Sequence, residues 1–385
     1  MPTGKNTGMN HDDFHAWVNP FNKARLFTPA AVVRPSTTEQ VSGVVQCAAK
    51  HGVKVQARSD GHSYAFWEIM RAFAHGVCPE VGIGGHATIG GLGPMSRMWG
   101  ATLDHILEVE VVTANGTIVR AIEADNAHLF WFVMKMHPKP TNTIHFTQKI
   151  KFAEMDKMAA QFQAWQQLIA SPSLDHRFGT EFEINLDGAK LTGTYYGTAA
   201  EFAASGIPKS LPEITPVDNA RLILSDVPTE FYSRSLGFQA ADLLPPNATE
   251  AMFRYIRDQN AQADVRWFVI FDATGGAVAQ VPAGPSAYAH RDRVMFYQSY
   301  AFNIINPLTR QAQNFLNGIH EAVLSGVPEG FVPTTYPRYV DPMLEDAQRV
   351  YWGANLERLE RVKRVWDAGD VFQNPQSVRP AVEGV

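Results

Sequence analysis

Arg58-Ser59-Asp60-Gly61-His62-Ser63-Tyr64 is followed closely by His75-Gly76-Val77-Cys78-Pro79-Glu80-Val81-Gly82-Ile83-Gly84-Gly85-His86, and the reading of these two runs decides the fold. The first comes directly after the alternating Val53-Lys54-Val55-Gln56-Ala57, so it sits at a strand end. A glycine and small hydroxyl residues leave backbone N–H groups unshielded, and such a turn can form an anion nest for a diphosphate. Taken alone, the heptapeptide reads better as an ordinary turn with His62 on the surface. Cys78, close to His75 and a glycine-rich backbone, has the surroundings of an activated thiol. The competing reading is a buried small hydrophobe. Val81 to Gly93 holds six glycines in thirteen residues. Its Gly82-Ile83-Gly84-Gly85-His86-Ala87 fits a loose dinucleotide pattern only weakly, with no clean preceding strand and no closing acidic residue. The run does permit close approach of backbone to a flat or bulky ligand, and tight loop packing explains it equally well.

Upstream, Ala31-Val32-Val33 reads as a short strand stopped by Pro35, and Ser36 with Glu39 reads as a capping box. The helix so started runs through Val41, Val44, Val45 and Ala48 to Gly52, with Cys47 expected in core packing. Strand, helix and strand together suggest an α/β unit. Downstream, Leu107 to Val112 and Thr117 to Ala121 form a hairpin pattern around Asn115-Gly116. Beyond about residue 150 the texture changes. Arg177 to Leu186 and Ala189 to Tyr196 alternate around Asp187-Gly188, and Val265 to Asp272 is a strongly apolar strand. Helical stretches lie near 155–170, 249–263 and 309–325, so residues 154–345 read as an antiparallel sheet with covering helices. Leu344 to Trp366 reads as one charged amphipathic helix, with Glu357 and Arg361 at i,i+4 spacing.

At 385 residues the chain has room for two or three domains. A net charge of −5 and a pI near 6.2 argue against a nucleic-acid partner, because phosphate neutralisation needs a basic field. No apolar run is long enough to span a membrane. The polar start holds no apolar leader, so no secretory signal is expected in this chain, and the localisation stays open. Asn115-Gly116-Thr117 and Asn247-Ala248-Thr249 fit glycan sequons. Two cysteines make no disulfide scaffold. His51, His62, His75 and His86 lack metal-ligand spacing, so no metal site is expected. One further pairing carries chemistry: Asp272, ending an apolar strand, and the tyrosines of Tyr336-Pro337-Arg338-Tyr339. A carboxylate beside a phenol can help it take a proton from an alcohol; a capping Asp and packed tyrosines are the competing reading.

Taken together, the segments resemble the berberine-bridge-enzyme-like oxidases. The two N-terminal runs are similar to that family's flavin motifs. Tyr351-Trp352-Gly353-Ala354-Asn355-Leu356-Glu357 and Asp370-Val371-Phe372-Gln373-Asn374-Pro375 are similar to its closing helix and turn. Phe271-Asp272-Ala273-Thr274-Gly275-Gly276 and Ala287-Tyr288-Ala289-His290-Arg291 look most like the glucooligosaccharide-oxidase-like branch.

The resemblance implies an α+β architecture: a two-part PCMH-type FAD-binding domain from residues 20–153 and 346–385, and an antiparallel-sheet substrate domain from 154–345. It implies FAD, bound bicovalently through His62 and Cys78, with Arg58, Ser59, Asp60, Gly61, Ser63, Gly82, Gly84, Gly85, His86 and Asn355 in the cofactor site. It further implies oxidation of a hydroxyl group on a sugar or natural product by a monomer, with molecular oxygen as acceptor. Tyr339, assisted by Asp272, takes the hydroxyl proton in that scheme, and Tyr336 is the rival base. Three departures stand out. Asp60 replaces a glycine, the stretch between His62 and Cys78 is short, and Phe132 to Pro140 replaces a glycine-rich segment. They keep a second reading in view: a flavin-free member acting as a non-redox binding or cyclisation/isomerisation scaffold in natural-product biosynthesis.

Overall fold

Alternating strands and amphipathic stripes give each element one face to bury, and in the computed structural model they assemble around a seven-stranded sheet. The structure describes residues 29–57, 71–72, 74, 76, 81–122, 126, 137–138, 140–217, 230–284, 286–304, 306–373 and 377–382. In chain order the elements that position the site are α1 (Thr38–Lys50), α2 (Ile83–Thr88), β1 (Glu108–Val112), β2 (Ile118–Ile122), β3 (Ile144–Lys151), α3 (Met155–Ala170), β4 (Phe178–Asn185), β5 (Gly188–Tyr195) and β6 (Thr215–Val217). They continue with β7 (Glu230–Phe238), α4 (Pro246–Gln259), β8 (Arg266–Ala273), β9 (Met295–Asn303), α5 (Arg310–Leu324), α6 (Ala347–Trp352) and α7 (Leu356–Trp366).

The large sheet runs β6-β3-β5-β4-β8-β9-β7, with every pairing antiparallel. It starts at Ile144, upstream of the boundary placed at residue 153. One face is apolar: Phe182, Ile184, Leu191, Leu236, Val269, Phe271 and Tyr297 bury against Phe162 and Trp165 of α3, Phe253 of α4 and Phe315 of α5. Burial of each such side chain stabilises the fold by roughly 1.5–3 kcal/mol. The helices therefore cover one side of the sheet and leave its other side for the site.

N- and C-terminal segments meet. Val55 bridges Phe372 in parallel, with Val55 N–H donating to Val371 O at 2.7 Å and Gln373 N–H to Val55 O at 3.2 Å. Lys54 Nζ donates to the carbonyls of Gly369 and Asp370 at 3.0 and 2.7 Å. β1 and β2 form the expected hairpin, with Gly116 at φ +82°.

Several local expectations need correction. Ala31–Val33 forms no strand, and Val53–Ala57 contributes only the single bridge at Val55. Thr37, not Ser36, caps α1 by accepting from Gln40 N–H; Ser36 instead donates to the Gln40 side chain. Cys47 is exposed, because the buried stripe of α1 centres on Val45 and position 47 falls off it. The C-terminal stretch is two helices, broken by Gly353 at φ +51° and the turn that holds Asn355.

Candidate active site

The sheet face turned away from α3, α4 and α5 carries a polar cluster at the Asp272 end, beneath the tyrosine loop. Antiparallel register sets Glu181 of β4, Asp272 of β8 and Phe296 of β9 side by side, with Ile270 and Gln298 in the next row. Gln298 Nε2 donates to Asp272 Oδ2, Tyr300 Oη donates to Gln298 Oε1, and Thr192 Oγ1 donates to Glu181 Oε1 at 3.1 Å. Above this cluster stands Tyr339, whose hydroxyl donates to Asp272 Oδ2 at 2.9 Å.

Edge strand β7 holds the tyrosine loop in place. Ser235 Oγ donates to Tyr339 O at 2.6 Å, Thr335 Oγ1 to Ser235 Oγ at 2.8 Å, and Gly237 N–H to Thr334 O at 2.6 Å. Asp341, fully buried, accepts from Arg234 Nε at 2.9 Å and from Ser235 N–H at 3.2 Å.

Burial, and after it the charge of Glu181, lifts the Asp272 carboxyl to about 7, against the hydrogen bonds from Tyr339 and Gln298. Burial also raises Glu181, and burial together with Asp272 pushes the Tyr339 phenol well above its ordinary value. Tyr339 therefore stays protonated near neutral pH, while Asp272 is poised to exchange a proton there.

Tyr336 has a different environment. Its oxygen accepts from Gly91 N–H at 2.8 Å and Leu92 N–H at 3.4 Å, which fastens the glycine run to the tyrosine loop. Its ring stands at 90° to that of Tyr339, with centroids 5.0 Å apart. Gly90 and Gly91 have φ of +133° and +83°, and a Cβ on Gly90 would lie 2.9 Å from the Tyr336 ring, so both the backbone angle and the close packing require glycine.

Gly82 starts α2 with no side-chain cap, and Gly84, Gly85 and the buried His86 lie within it. A Cβ on Gly85 would lie 2.8 Å from Arg338 Nη1, so the missing side chain admits a guanidinium against the glycine backbone. The Asn355 amide donates to the carbonyls of Ala283, Ser286 and Ala287 at 3.2, 2.9 and 3.2 Å, which commits it to holding a loop. That loop is gripped from the other side by Asp104, which accepts two bonds from Arg291 at 2.6 and 2.7 Å. Arg58, Ser59, Asp60, Gly61, His62, Ser63 and Cys78 lie outside the described residues.

This arrangement can be set against known proteins. Residues 335–379 match the family described as berberine and berberine like, and residues 29–71 and 68–122 match an FAD binding domain. The FAD-linked oxidoreductase sorD of Penicillium rubens is 30% identical over 447 residues, covering 96% of this chain and 94% of that protein. The chain belongs to the berberine-like FAD-linked oxidoreductases. It is an FAD-dependent enzyme of α+β, PCMH-type fold.

Among solved structures, the xylooligosaccharide oxidase of Myceliophthora thermophila in complex with xylobiose superimposes with a TM-score of 0.84 at 27% identity, covering 99% of this chain and 97% of that one. The glucooligosaccharide oxidase of Acremonium strictum, with a 6-S-cysteinyl, 8α-N1-histidyl FAD, gives 0.82 at 25% identity, with 97% of each chain covered. The described part of this berberine-like site fits a flavin. Arg338 and the side-chain-free backbone at Gly85 suit an electron-rich group, whereas the phenol, carboxyl and amide of the sheet cluster move protons but accept no electron pair.

Tyr339 and Asp272, paired on sequence, are brought together, and Tyr336 faces the glycine run instead. Glu181, Gln298 and Tyr300 escaped the sequence reading. Gln298 and Tyr300 lie in Met295–Asn303, where polar and apolar residues are buried together and spacing gives no strand signal, whereas Glu181 lies in a strand that alternation does predict.

Proposed function

We propose that the protein oxidises a hydroxyl-bearing carbon of a sugar or natural product, with Tyr339 and Asp272 as the proton-transfer pair. The observation that carries this reading is the 2.9 Å bond from the Tyr339 hydroxyl to a carboxyl tuned to about 7. The substrate O–H proton passes to Tyr339 Oη as the proton of Tyr339 passes to Asp272 Oδ2, so no free phenolate is needed beforehand. FAD, when bound, supplies the two-electron acceptor for the hydride lost from the substrate carbon, which becomes a carbonyl. Gln298 and Glu181 set the affinity of Asp272 for the arriving proton.

With the boundary moved from residue 153 to the start of β3, the segment before Ile144 and residues 346–385 form the cofactor-holding part in this reading, supported by the Val55–Phe372 bridge, and 144–345 the substrate part. Gly82, Gly84, Gly85, His86 and Arg338 line the cofactor side; His62 and Cys78 attach FAD at two points, as the bicovalent FAD of the glucooligosaccharide oxidase supports. Molecular oxygen is the terminal acceptor, a reading supported by the oxidase names of the relatives.

The test is an absorption spectrum of purified protein before and after acid precipitation. A flavin band that stays with the precipitate is expected, and His62→Ala and Cys78→Ala should each remove one covalent link. A colourless, folded protein would favour the non-redox scaffold; each single variant should keep the flavin in the precipitate through its remaining link but change the absorption spectrum, and only the double variant should release it, so a single variant with an unchanged spectrum would remove that residue from the assignment.

A further inference from the structure

We infer that Arg338 is the counter-charge of the flavin ring, holding the negative charge that the ring gains on reduction. The inference needs FAD as the cofactor, and it rests on the Tyr339 reading only for which part of FAD lies nearby.

Three arginines of the interior spend their charge on the protein. Arg291 pairs with Asp104 at 2.6 Å, Arg234 pairs with Asp341 at 2.9 Å, and Arg97 donates to the carbonyls of Phe178 and Thr274. Arg338 is half-buried and, among the described residues, has no carboxylate at ion-pair distance and no hydrogen-bond acceptor. Taking a guanidinium partly out of water costs free energy that an anion beside it would offset.

Its place is set by the chain. Tyr336-Pro337-Arg338-Tyr339 is a tight turn closed by Tyr339 N–H donating to Tyr336 O at 2.8 Å, with Pro337 at the second position. The turn is tied to the glycine run through Tyr336 Oη and to β7 through Tyr339 O. From it the Arg338 side chain runs toward α2, where Nη1 lies 2.8 Å from the position of a Cβ on Gly85. Burial raises the Tyr336 phenol and the charge of Arg338 works against it, so the guanidinium also lies within electrostatic reach of that ring.

FAD offers two anionic parts, its diphosphate and, once reduced, its ring. Arg338 directly precedes Tyr339, and adjacent Cα atoms are about 3.8 Å apart. In the proposed reaction Tyr339 meets the alcohol that gives up hydride to the ring, so the ring is the near part and the diphosphate lies a ribityl chain away. A cation already fixed where negative charge develops needs no rearrangement when it develops. One turn then serves both halves of the reaction: Tyr339 takes the proton and Arg338 answers the electrons.

The test uses the flavin-loaded protein and sodium sulfite, which probes the ring without any substrate. Sulfite gives its lone pair to ring nitrogen 5: an S–N bond forms, the ring's C=N bond yields its π pair, and the ring becomes negative with no proton required. Arg338→Gln should weaken sulfite binding about 10–100-fold and lower the two-electron reduction potential by about 30–60 mV, the same factor in an equilibrium constant. Arg338→Lys keeps a charge and should recover most of the loss. Arg338→Met replaces the glutamine variant if that one does not fold. Sulfite affinity and potential unchanged in a folded, loaded neutral variant would overturn the inference. A neutral variant that loads less flavin, yet binds sulfite like the wild type in what it holds, also overturns it, because the charge then serves the diphosphate. Sulfite binding that weakens as expected, in a protein whose flavin no alcohol bleaches, upholds Arg338 and sinks the oxidase reading alone.

Discussion

Residues 144–324 bury one continuous apolar core, whereas the described flanking segments around α2 and α6–α7 bury two small clusters and a set of polar side chains. His86, Arg97, Thr102, His105, Asn355 and Asp367 are all buried in or beside the flanks. Their links are specific. Arg97 reaches the carbonyls of Phe178 and Thr274, Asp104 grips Arg291, and Asp367 accepts from Val371 and Phe372 N–H. The sheet half is held by area, which tolerates small changes. The flanks are held by individual bonds, so each lost bond leaves a buried group without a partner. The proposed proton pair lies where the two regimes meet, at a loop pinned to the sheet edge and facing the glycine run.

The largest expected effect separates the two tyrosines of that loop. If Tyr339 takes the substrate proton as proposed, Tyr339→Phe removes that acceptor, and the rate of flavin reduction should fall by about 10²–10⁴-fold with flavin content unchanged. Tyr336→Phe leaves Gly91 and Leu92 N–H without their acceptor and should act on stability, by roughly 1–3 kcal/mol, more than on rate. Single-turnover reduction and thermal unfolding of both variants test this. Equal rate losses would dissolve the distinction between a sheet-side proton pair and a flank tether.

Asp104→Ala comes next. Arg291 is 5% exposed and would keep a buried, unpaired charge, a loss of about 3–5 kcal/mol. Replacing the pair together, Asp104→Ala with Arg291→Met, should recover part of it, because the desolvated charge is gone. Calorimetry should show the loss in an early transition that leaves the sheet folded. A single transition shifted as a whole would mean that flanks and sheet unfold as one unit.

A smaller effect follows pH. The folded carboxyl of Asp272 sits near 7, above its unfolded value near 3.8, so the native state binds the extra proton between those values. Stability contributed by this group is therefore present at acid pH and lost as pH rises through about 7. Activity runs the other way, since proton acceptance needs the ionised form: kcat/KM should rise through about pH 7. Asp272 and Glu181 titrate as a pair, so the measured value belongs to both. Asp272→Asn should flatten the fall of stability between pH 4 and 7, on the order of 1–3 kcal/mol, while abolishing the activity limb.

The same contrast explains what could be read from the residues alone. Helices Met155–Ala170, Pro246–Gln259 and Arg310–Leu324 and the pair β4–β5 follow from periodicity, because apolar burial writes itself into spacing. β7 and β9 were missed, since Glu230–Phe238 and Met295–Asn303 bury serine, glutamine and tyrosine among their apolar residues and so lack a clean alternation. Tyr339 with Asp272 was legible as chemistry, but their meeting was not, because it depends on Ser235 and Asp341 anchoring a loop distant in sequence. Cys47 was misplaced for the opposite reason: an apolar-looking helix position carries no record of which way the stripe faces.

The smallest change gives the finest view of the comparison. Gly43 lies in the interior of α1, exposed, and a Cβ built on it would meet nothing within 4 Å. Alanine there removes backbone freedom from the unfolded chain without any steric cost, worth roughly 0.5–1 kcal/mol of helix stability. α1 belongs to the flanks: Ser42 Oγ donates to Gly116 O, and Thr38 to Glu110, so it rides on the β1–β2 hairpin and not on the sheet core. If the flanks melt first, Gly43→Ala should raise the early transition and leave the later one in place. Amide exchange in α3, whose Phe162 and Trp165 sit in the sheet core, should then be unchanged by the substitution. Slower exchange in both helices would show that bonds and buried area act as one cooperative unit, and that the pinned tyrosine loop owes its position to the whole molecule rather than to the edge of β7.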